Sequence, residues 1–255
     1  VEITVTTRAG APEREFSFGS LTWQSLRGNG RNAKAGPYEV RSPIAVRAVA
    51  IDTPPVVTGT GTEGTVSVPV VFGYQGEYAA TGHGLVAATI TDGTVGQDPD
   101  QTAFTPDDGA GITAHTFEVT DAAVARWRLV EGTSATDLDV FVVGPDGEQV
   151  AASTNGGTDE LVTLTTPQPG TYTVYVHGWQ TGGATISYGL ESWLVPLATG
   201  GSLTVDSAPT EATIASPGEV VASWTGATPG ADHLGAVAHH RGGELLGLTL
   251  VEVTG

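Results

Sequence analysis

Short segments in which apolar and polar residues alternate recur along this chain of 255 residues. In residues 170–179, Tyr172, Val174 and Val176 alternate with threonine and tyrosine residues, which is the pattern of a strand with one buried face. Residues 137–154 contain the clearest hairpin, because a central Gly-Pro-Asp-Gly supplies the residues that a tight turn needs. Comparable segments follow one another at spacings of roughly 8–12 residues, and none sustains a helical apolar stripe. The pattern predicts an all-β protein of tandem antiparallel β-sandwich or jelly-roll domains.

The composition permits a packed core and excludes several kinds of site. Hydrophobic residues make up 39% of the chain and charged residues 15%, which excludes charge-driven disorder. The chain has no Cys, so it has no disulfides, thiolate metal sites or cysteine nucleophiles. No apolar run has the length of a membrane span, and the N-terminus lacks the pattern of a signal peptide. There is no Met either, so we expect the chain to be part of a longer protein or a processed product.

Charge divides the chain unevenly. Residues 1–47 hold seven basic and four acidic residues, a net charge of +3. Residues 48–255 hold three basic and 24 acidic residues, a net charge of −21. The step predicts two units with a boundary near residues 51–56. It also excludes nucleic acid as a partner of most of the chain, because binding to a phosphate backbone requires clustered cations.

Two linkers suggest how the strands are grouped. Residues 52–55 contain Pro-Pro, which favours an extended spacer, and residues 195–201 separate a last set of strands. The segment before the first linker has too few strands for an independent sandwich, so we expect its partner strands to lie upstream of Val1. The last 55 residues are too few for a domain that is stable alone, so we expect them to lean on a neighbour.

Several of these segments resemble parts of secreted bacterial subtilisin-like serine peptidases. FGSLTW at residues 18–23 and YEVRSPIAVR at residues 38–47 resemble the end of the fibronectin type-III-like domain that follows the catalytic domain. The segments at residues 135–153 and 169–179 resemble the core of a pre-peptidase C-terminal domain. Residues 201–255 are similar to a small immunoglobulin-like end domain. The resemblance therefore implies three units, at residues 1–50, 56–195 and 200–255.

The resemblance implies a secreted, non-catalytic part of a peptidase. Subtilisin-type hydrolysis needs an Asp, a His and a Ser, and the family's serine motif contains a Met that this chain lacks. We expect the peptidase activity to belong to an upstream catalytic domain, which would be the partner of this chain. The expected roles are bracing that domain, assisting secretion or processing, and holding a protein or polymer substrate.

Asp137 and Asp139 are candidate metal ligands. They flank Leu138 at the start of a strand, so the period of two places both carboxylates on one face. Such oxygens suit Ca²⁺, which takes about six to eight of them, and a nearby loop could add further aspartates. The loop residues are Asp98, Asp100, Asp107 and Asp108. The alternative is a solvated acidic edge with one carboxylate bonded to the turn.

The other candidate residues favour structural roles. His239 and His240 are adjacent, so a strand would point them to opposite faces, which is poor geometry for one zinc ion. We expect Arg126 and Arg128 to form internal ion pairs, and His177 to order its turn. Trp23, Trp193 and Trp224 lie within strand patterns that predict core packing.

Trp179 and Tyr175 support an alternative function. Trp179 follows a strand, and it is the tryptophan that we expect to be most exposed. If its ring and that of Tyr175 formed a flat exposed surface, the chain would be a free-standing carbohydrate- or cell-wall-binding module.

Overall fold

The computed structural model describes residues 3, 5, 10–24, 38–101, 103–106, 109–130 and 137–255. These residues form strands and turns without a helix, which confirms the prediction of an all-β fold. No helix in this part of the chain is long and apolar enough to cross a membrane. The strands are β1 Phe16–Gln24, β2 Glu39–Arg47, β3 Ile51–Asp52, β4 Val56–Thr60, β5 Gly64–Phe72, β6 Gly76–Glu77, β7 Ala79–Ala87, β8 Thr89–Gly96, β9 Ile112–Val119, β10 Ala122–Val130, β11 Asp137–Val143, β12 Gln149–Ser153, β13 Leu161–Thr165, β14 Gly170–Gln180, β15 Thr185–Pro196, β16 Leu203–Ser207, β17 Glu211–Ala212, β18 Pro217–Trp224, β19 Asp232–Arg241 and β20 Glu244–Thr254.

Strands β8 to β15 form a sandwich that we call the central sandwich, residues 89–196. Its two sheets have the strand orders β13-β10-β15-β8 and β12-β11-β14-β9. The hairpin predicted at residues 137–154 is β11 and β12, which pair antiparallel. The side chains between the sheets are apolar and almost fully buried, among them Trp127, Leu138, Val174 and Leu190.

A second sandwich combines strands from two distant parts of the chain. We call it the split sandwich, residues 51–87 and 203–254. Its sheets have the strand orders β16-β18-β5-β3 and β4-β20-β19-β7, and a small β17-β6 pair accompanies them. Val68 pairs with Val220 and Ala80 with His239, so main-chain pairing joins the two parts. The shared core contains Val68, Phe72, Val220 and Trp224.

The strand pairing in the sheets differs from the grouping inferred from the sequence, which placed residues 56–195 in one unit and residues 200–255 in another. Strands β4 to β7 pair with the last five strands and not with the central ones. The expectation that the last 55 residues lean on a neighbour is met by this pairing. The physical reason for the difference is that each strand pattern is local, whereas its pairing partner lies up to about 190 residues away and leaves no local trace.

Strands β1 and β2 form a two-stranded ribbon without a covering sheet in the described part of the chain. One face of the ribbon carries Leu21, Trp23, Val40, Ile44 and Val46. Trp23 is 43% exposed, so the expectation that it packs in a core is not met for the described residues. The reason is that a ribbon of two strands buries a side chain only where another layer packs on it.

The two sandwiches contact each other through an apolar patch and two arginines. The patch includes Val124, Trp193, Leu234 and Leu250. Beside it, Arg126 pairs with Glu252 at 2.6 Å, and Arg128 pairs with Asp232 at 2.6 Å and with Glu191. The prediction that both arginines form internal ion pairs is confirmed. The guanidinium of Arg128 also lies 5.2 Å from the ring centre of Trp193.

Candidate functional site

The outer face of the sheet β12-β11-β14-β9 carries a group of ionisable and aromatic side chains. The alternation that sends Val140 and Val174 into the core sends their neighbours outward. We call this group the His177 site. Its members are Asp98, Phe104, Asp139, Phe141, Tyr175, His177 and Trp179.

His177 lies between two carboxylates. Its Nε2 is 3.0 Å from Oδ2 of Asp98, and its Nδ1 is 3.3 Å from Oδ2 of Asp139. A neutral imidazole has one donor nitrogen, so two carboxylates on opposite nitrogens favour the imidazolium form. The hydrogen bond to Asp139, with the one to Asp98, raises the pKa of His177 although burial opposes the shift.

Asp98 is the more deeply buried of the two carboxylates, with 2% of its surface exposed. Burial by itself raises the pKa of Asp98, but hydrogen bonds from His177 and from the backbone of Asp100 outweigh it and leave this pKa below its ordinary value. The buried group is therefore an ion pair, and the imidazolium occupies the place between the carboxylates.

Hydrogen bonds hold the segment after β8 against the end of β14. The backbone N–H of Asp98 donates to the carbonyl of Gly178 at 2.9 Å. The side chains of Gln97 and Gln101 both donate to the carbonyl of Trp179, at 2.7 and 2.9 Å. A Cβ at Gly111 would lie 2.5 Å from the backbone of Asp98, so a glycine is required where the returning chain passes it.

Aromatic rings complete the site beside the ion pair. The ring of Phe104 stacks on Phe141 with centroids 4.1 Å apart and planes 8° apart, and its centroid is 5.3 Å from that of Tyr175. The rings of Trp179 and His177 pack edge to face, with centroids 6.1 Å apart. Tyr175 and Trp179 are both half-buried. Phe104 therefore covers part of the surface that the two rings were expected to expose.

The two predicted calcium ligands contact different groups. Asp139 contacts His177, whereas Asp137 accepts a hydrogen bond from the backbone N–H of Gly157 at 3.1 Å. Within the described ranges, no group of three or more His, Cys, Asp or Glu side chains is arranged to hold a metal ion. Asp107 and Asp108 lie outside the described residues. Asp139 is already engaged by His177, and calcium binding at Asp137 and Asp139 stays a prediction.

The remaining histidines lie in the split sandwich or on β9. His239 is fully buried between the hydroxyls of Tyr78 and Thr249, at 2.6 and 3.0 Å. His240 contacts Thr81, which also contacts His83. The two adjacent histidines thus contact different groups, as the strand pattern predicts.

Sequence reasoning missed the pairing of His177 with Asp98. The sequence predicts that His177 orders its turn and that Asp98 belongs to a loop that could add calcium ligands. The only signal was that each is a polar residue next to a strand end, and nothing in the sequence links the two. The arrangement does not suit base catalysis, because carboxylates engage both nitrogens of His177.

Part of the central sandwich matches a known family. Residues 113–178 match the model of the bacterial pre-peptidase C-terminal domain, a C-terminal domain of secreted bacterial peptidases. The matched segment runs from β9 to β14 and includes Asp137, Asp139 and His177. The match supports this part of the resemblance found in the sequence. No curated protein sequence matches the chain.

Solved structures give only a remote likeness. Two structures of infectious bursal disease virus, one of the Gx strain and one of the VP2 subviral particle, share 11% and 12% identity with the chain. Each comparison covers 92% of this chain with a TM-score of 0.25. The chain spans 62% of the length of those viral chains, and the likeness carries no argument about function.

Proposed function

We propose that this chain is the non-catalytic C-terminal part of a secreted subtilisin-like serine peptidase. It braces the catalytic domain, assists secretion, and holds polymeric substrate near the active site. The observation that carries the proposal is the match of residues 113–178 to the bacterial pre-peptidase C-terminal domain. The fibronectin-like motifs in the ribbon point to the subtilisin-like parent.

The ribbon supports attachment to an upstream domain. Its strands β1 and β2 contain both motifs, and their apolar face is open in the described part of the chain. Phe18, on the opposite face, is 81% exposed. An exposed apolar surface of this kind is typical of a sheet that is completed by another part of the protein.

The segments that flank the ribbon contact the split sandwich, which limits where a domain docked on the ribbon could lie. Glu13 pairs with Arg241 of β19 at 2.6 Å, and the N–H of Gly73 donates to the carbonyl of Ala50 at 2.8 Å. These contacts support a bracing role, because they connect the segments before β1 and after β2 to a larger folded unit.

The test is to isolate the protein from the culture medium of its native host with an antibody against residues 56–255. Intact mass and N-terminal sequencing identify the chain, and a fluorophosphonate probe labels any active serine peptidase. We expect the label on a longer chain that contains this sequence, or on a chain that co-purifies with it. Recovery from the medium without a labelled species would overturn the proposal, as would recovery only from the cytoplasm.

A carbohydrate- or cell-wall-binding module is the second candidate. Tyr175 and Trp179 lie on one sheet face and each keeps part of its side chain exposed, which is the surface on which a sugar could stack. A pull-down with purified cell walls distinguishes the two, using Trp179→Ala and the buried-face control Tyr172→Phe. Retention that Trp179→Ala abolishes would favour this candidate.

A further inference from the structure

Strand β4 forms one edge of a sheet in the split sandwich. On its inner side it pairs parallel with β20, where the N–H of Leu250 donates to Pro55 and the N–H of Gly61 donates to Thr254. A parallel ladder that contains these two bonds directs the N–H and C=O groups of Val56, Thr58 and Thr60 to the outer side. No strand of the described ranges pairs with that side.

Thr58 and Thr60 of β4 also line a cleft of about 290 Å³ that lies between this sheet and the central sandwich. We call it the β4 cleft, and its lining includes Thr58, Thr60, Arg126, Leu161, Asp232 and Glu252. The volume is at the lower end for small-molecule sites, which are roughly 300–1,000 Å³. A cleft of this size beside an open strand edge suits one side chain of a peptide that pairs with the strand.

The charges of the β4 cleft favour a basic side chain. Its two arginines pair with Glu252 and Asp232, which line the cleft, and with Glu191 next to it, so three carboxylates accompany two cations. The side chains of Glu252 and Asp232 are each 39% exposed and keep acceptor capacity toward a ligand. Residues 48–255 hold 24 acidic residues against three basic ones, so the surrounding field has the same sign.

An apolar contact for the stem of such a side chain is also present. Leu161, at the start of the edge strand β13, is 45% exposed and lines the cleft. Lysine and arginine rest their methylene stems on such surfaces while the charged end reaches polar groups.

We propose that the edge of β4 and the adjoining cleft dock an extended polypeptide segment that carries lysine or arginine. The segment adds to the sheet as a strand beside β4, and its basic side chain enters the β4 cleft. This inference deepens the proposed function, because it names basic, extended polypeptide as the substrate class that the chain holds. The binding site itself requires nothing from the parent peptidase.

The test uses the isolated chain and labelled nine-residue peptides of alternating Thr and Val with a central Lys, followed by fluorescence anisotropy. We expect the Lys peptide to bind at least tenfold more tightly than the same peptide with Glu. N-methylation of one alternate set of peptide amides should abolish binding, and methylation of the other set should leave it unchanged, because an added strand uses only one edge.

Thr58→Pro removes the outward N–H of β4 and leaves its bonds to β20 in place, which an edge strand tolerates. The matched control Thr58→Val keeps the N–H. We expect Thr58→Pro to weaken peptide binding by about tenfold or more, and Thr58→Val by no more than about twofold, with unchanged urea midpoints.

Several outcomes would overturn the inference. They are the absence of binding at millimolar peptide, equal binding of the two N-methylated peptides, and full binding by Thr58→Pro. Dimerisation of the chain that Thr58→Pro abolishes, without peptide binding, would assign the edge to a second copy. A negative result in the peptide-binding assays does not change the outcome of the co-purification test. Failure of the co-purification test likewise does not change the outcome of the peptide-binding assays.

Discussion

The carboxylate of Asp98 accepts a hydrogen bond from Nε2 of His177 at 3.0 Å, although 79 positions separate the two residues. Both side chains are almost fully buried. The pair fixes the segment after β8 onto β14, and with Asp139 it forms the centre of the His177 site.

Removing the histidine should leave two unpaired carboxylates. We expect His177→Gln to lower the free energy of unfolding by about 2–3 kcal/mol, because a buried charge without its partner is costly. The double variant Asp98→Asn/His177→Gln should recover part of this loss. Urea unfolding measures both, and His115→Gln on the same sheet is the control. Equal stability of His177→Gln and the native chain would contradict a buried ion pair.

His239 should make the split sandwich sensitive to acid. Burial lowers its pKa from 6.5 to about 4, so between these values the unfolded chain binds a proton that the folded chain does not. Stability is therefore full above pH 6.5 and falls as the pH drops toward 4, by up to about 3 kcal/mol from this residue. We expect His239→Gln to flatten the dependence between pH 7 and 4.5 in urea unfolding. A parallel pH profile for the variant and the native chain would show that His239 titrates normally.

A substitution at Gly82 tests the packing of β7 against β16. A Cβ at this position would lie 2.6 Å from the carbonyl oxygen of Leu203, which is backbone and cannot turn away. We expect Gly82→Ala to cost about 2–3 kcal/mol of unfolding free energy. Gly247→Ala is the control, because a Cβ there meets nothing within 4 Å. If the two variants were equally stable, β7 would not pack on β16 as described.

Replacing Glu252 and replacing Arg126 should lower the stability of the chain by different amounts. Arg126 keeps 9% of its side chain exposed and Glu252 keeps 39%. Glu252→Gln leaves a buried guanidinium unpaired, and we expect it to cost about 2 kcal/mol or more. Arg126→Met leaves a carboxylate that water can reach, so its cost should be about 1 kcal/mol or less. Thermal unfolding measures the loss of stability in each variant. A larger loss for Arg126→Met than for Glu252→Gln would refute the assignment of Arg126 as the buried partner.

The local sequence patterns predicted the strands better than they predicted the contacts of the candidate site residues. The hairpin of β11 and β12 follows from alternation and one Gly-Pro-Asp-Gly turn, and the pairing of Arg126 and Arg128 with acids follows from their surroundings. The same alternation placed Asp137 and Asp139 beside each other, but it gave no means of finding the His177 that binds one of them. Trp23 looked like a core residue because its strand pattern does not report whether a second layer exists.

The sequence by itself determined that this is an all-β protein, because the period of two and the turn residues act over a few positions. The tertiary structure decided which strands meet. Pairing of β5 with β18 and of β7 with β19 builds the split sandwich from the segments that precede and follow residues 89–196 in the sequence. The passage of the chain past Gly111 brings Asp98 to His177. Strand partners are chosen by the total burial of distant segments, and that quantity is a property of the folded chain and of no single segment.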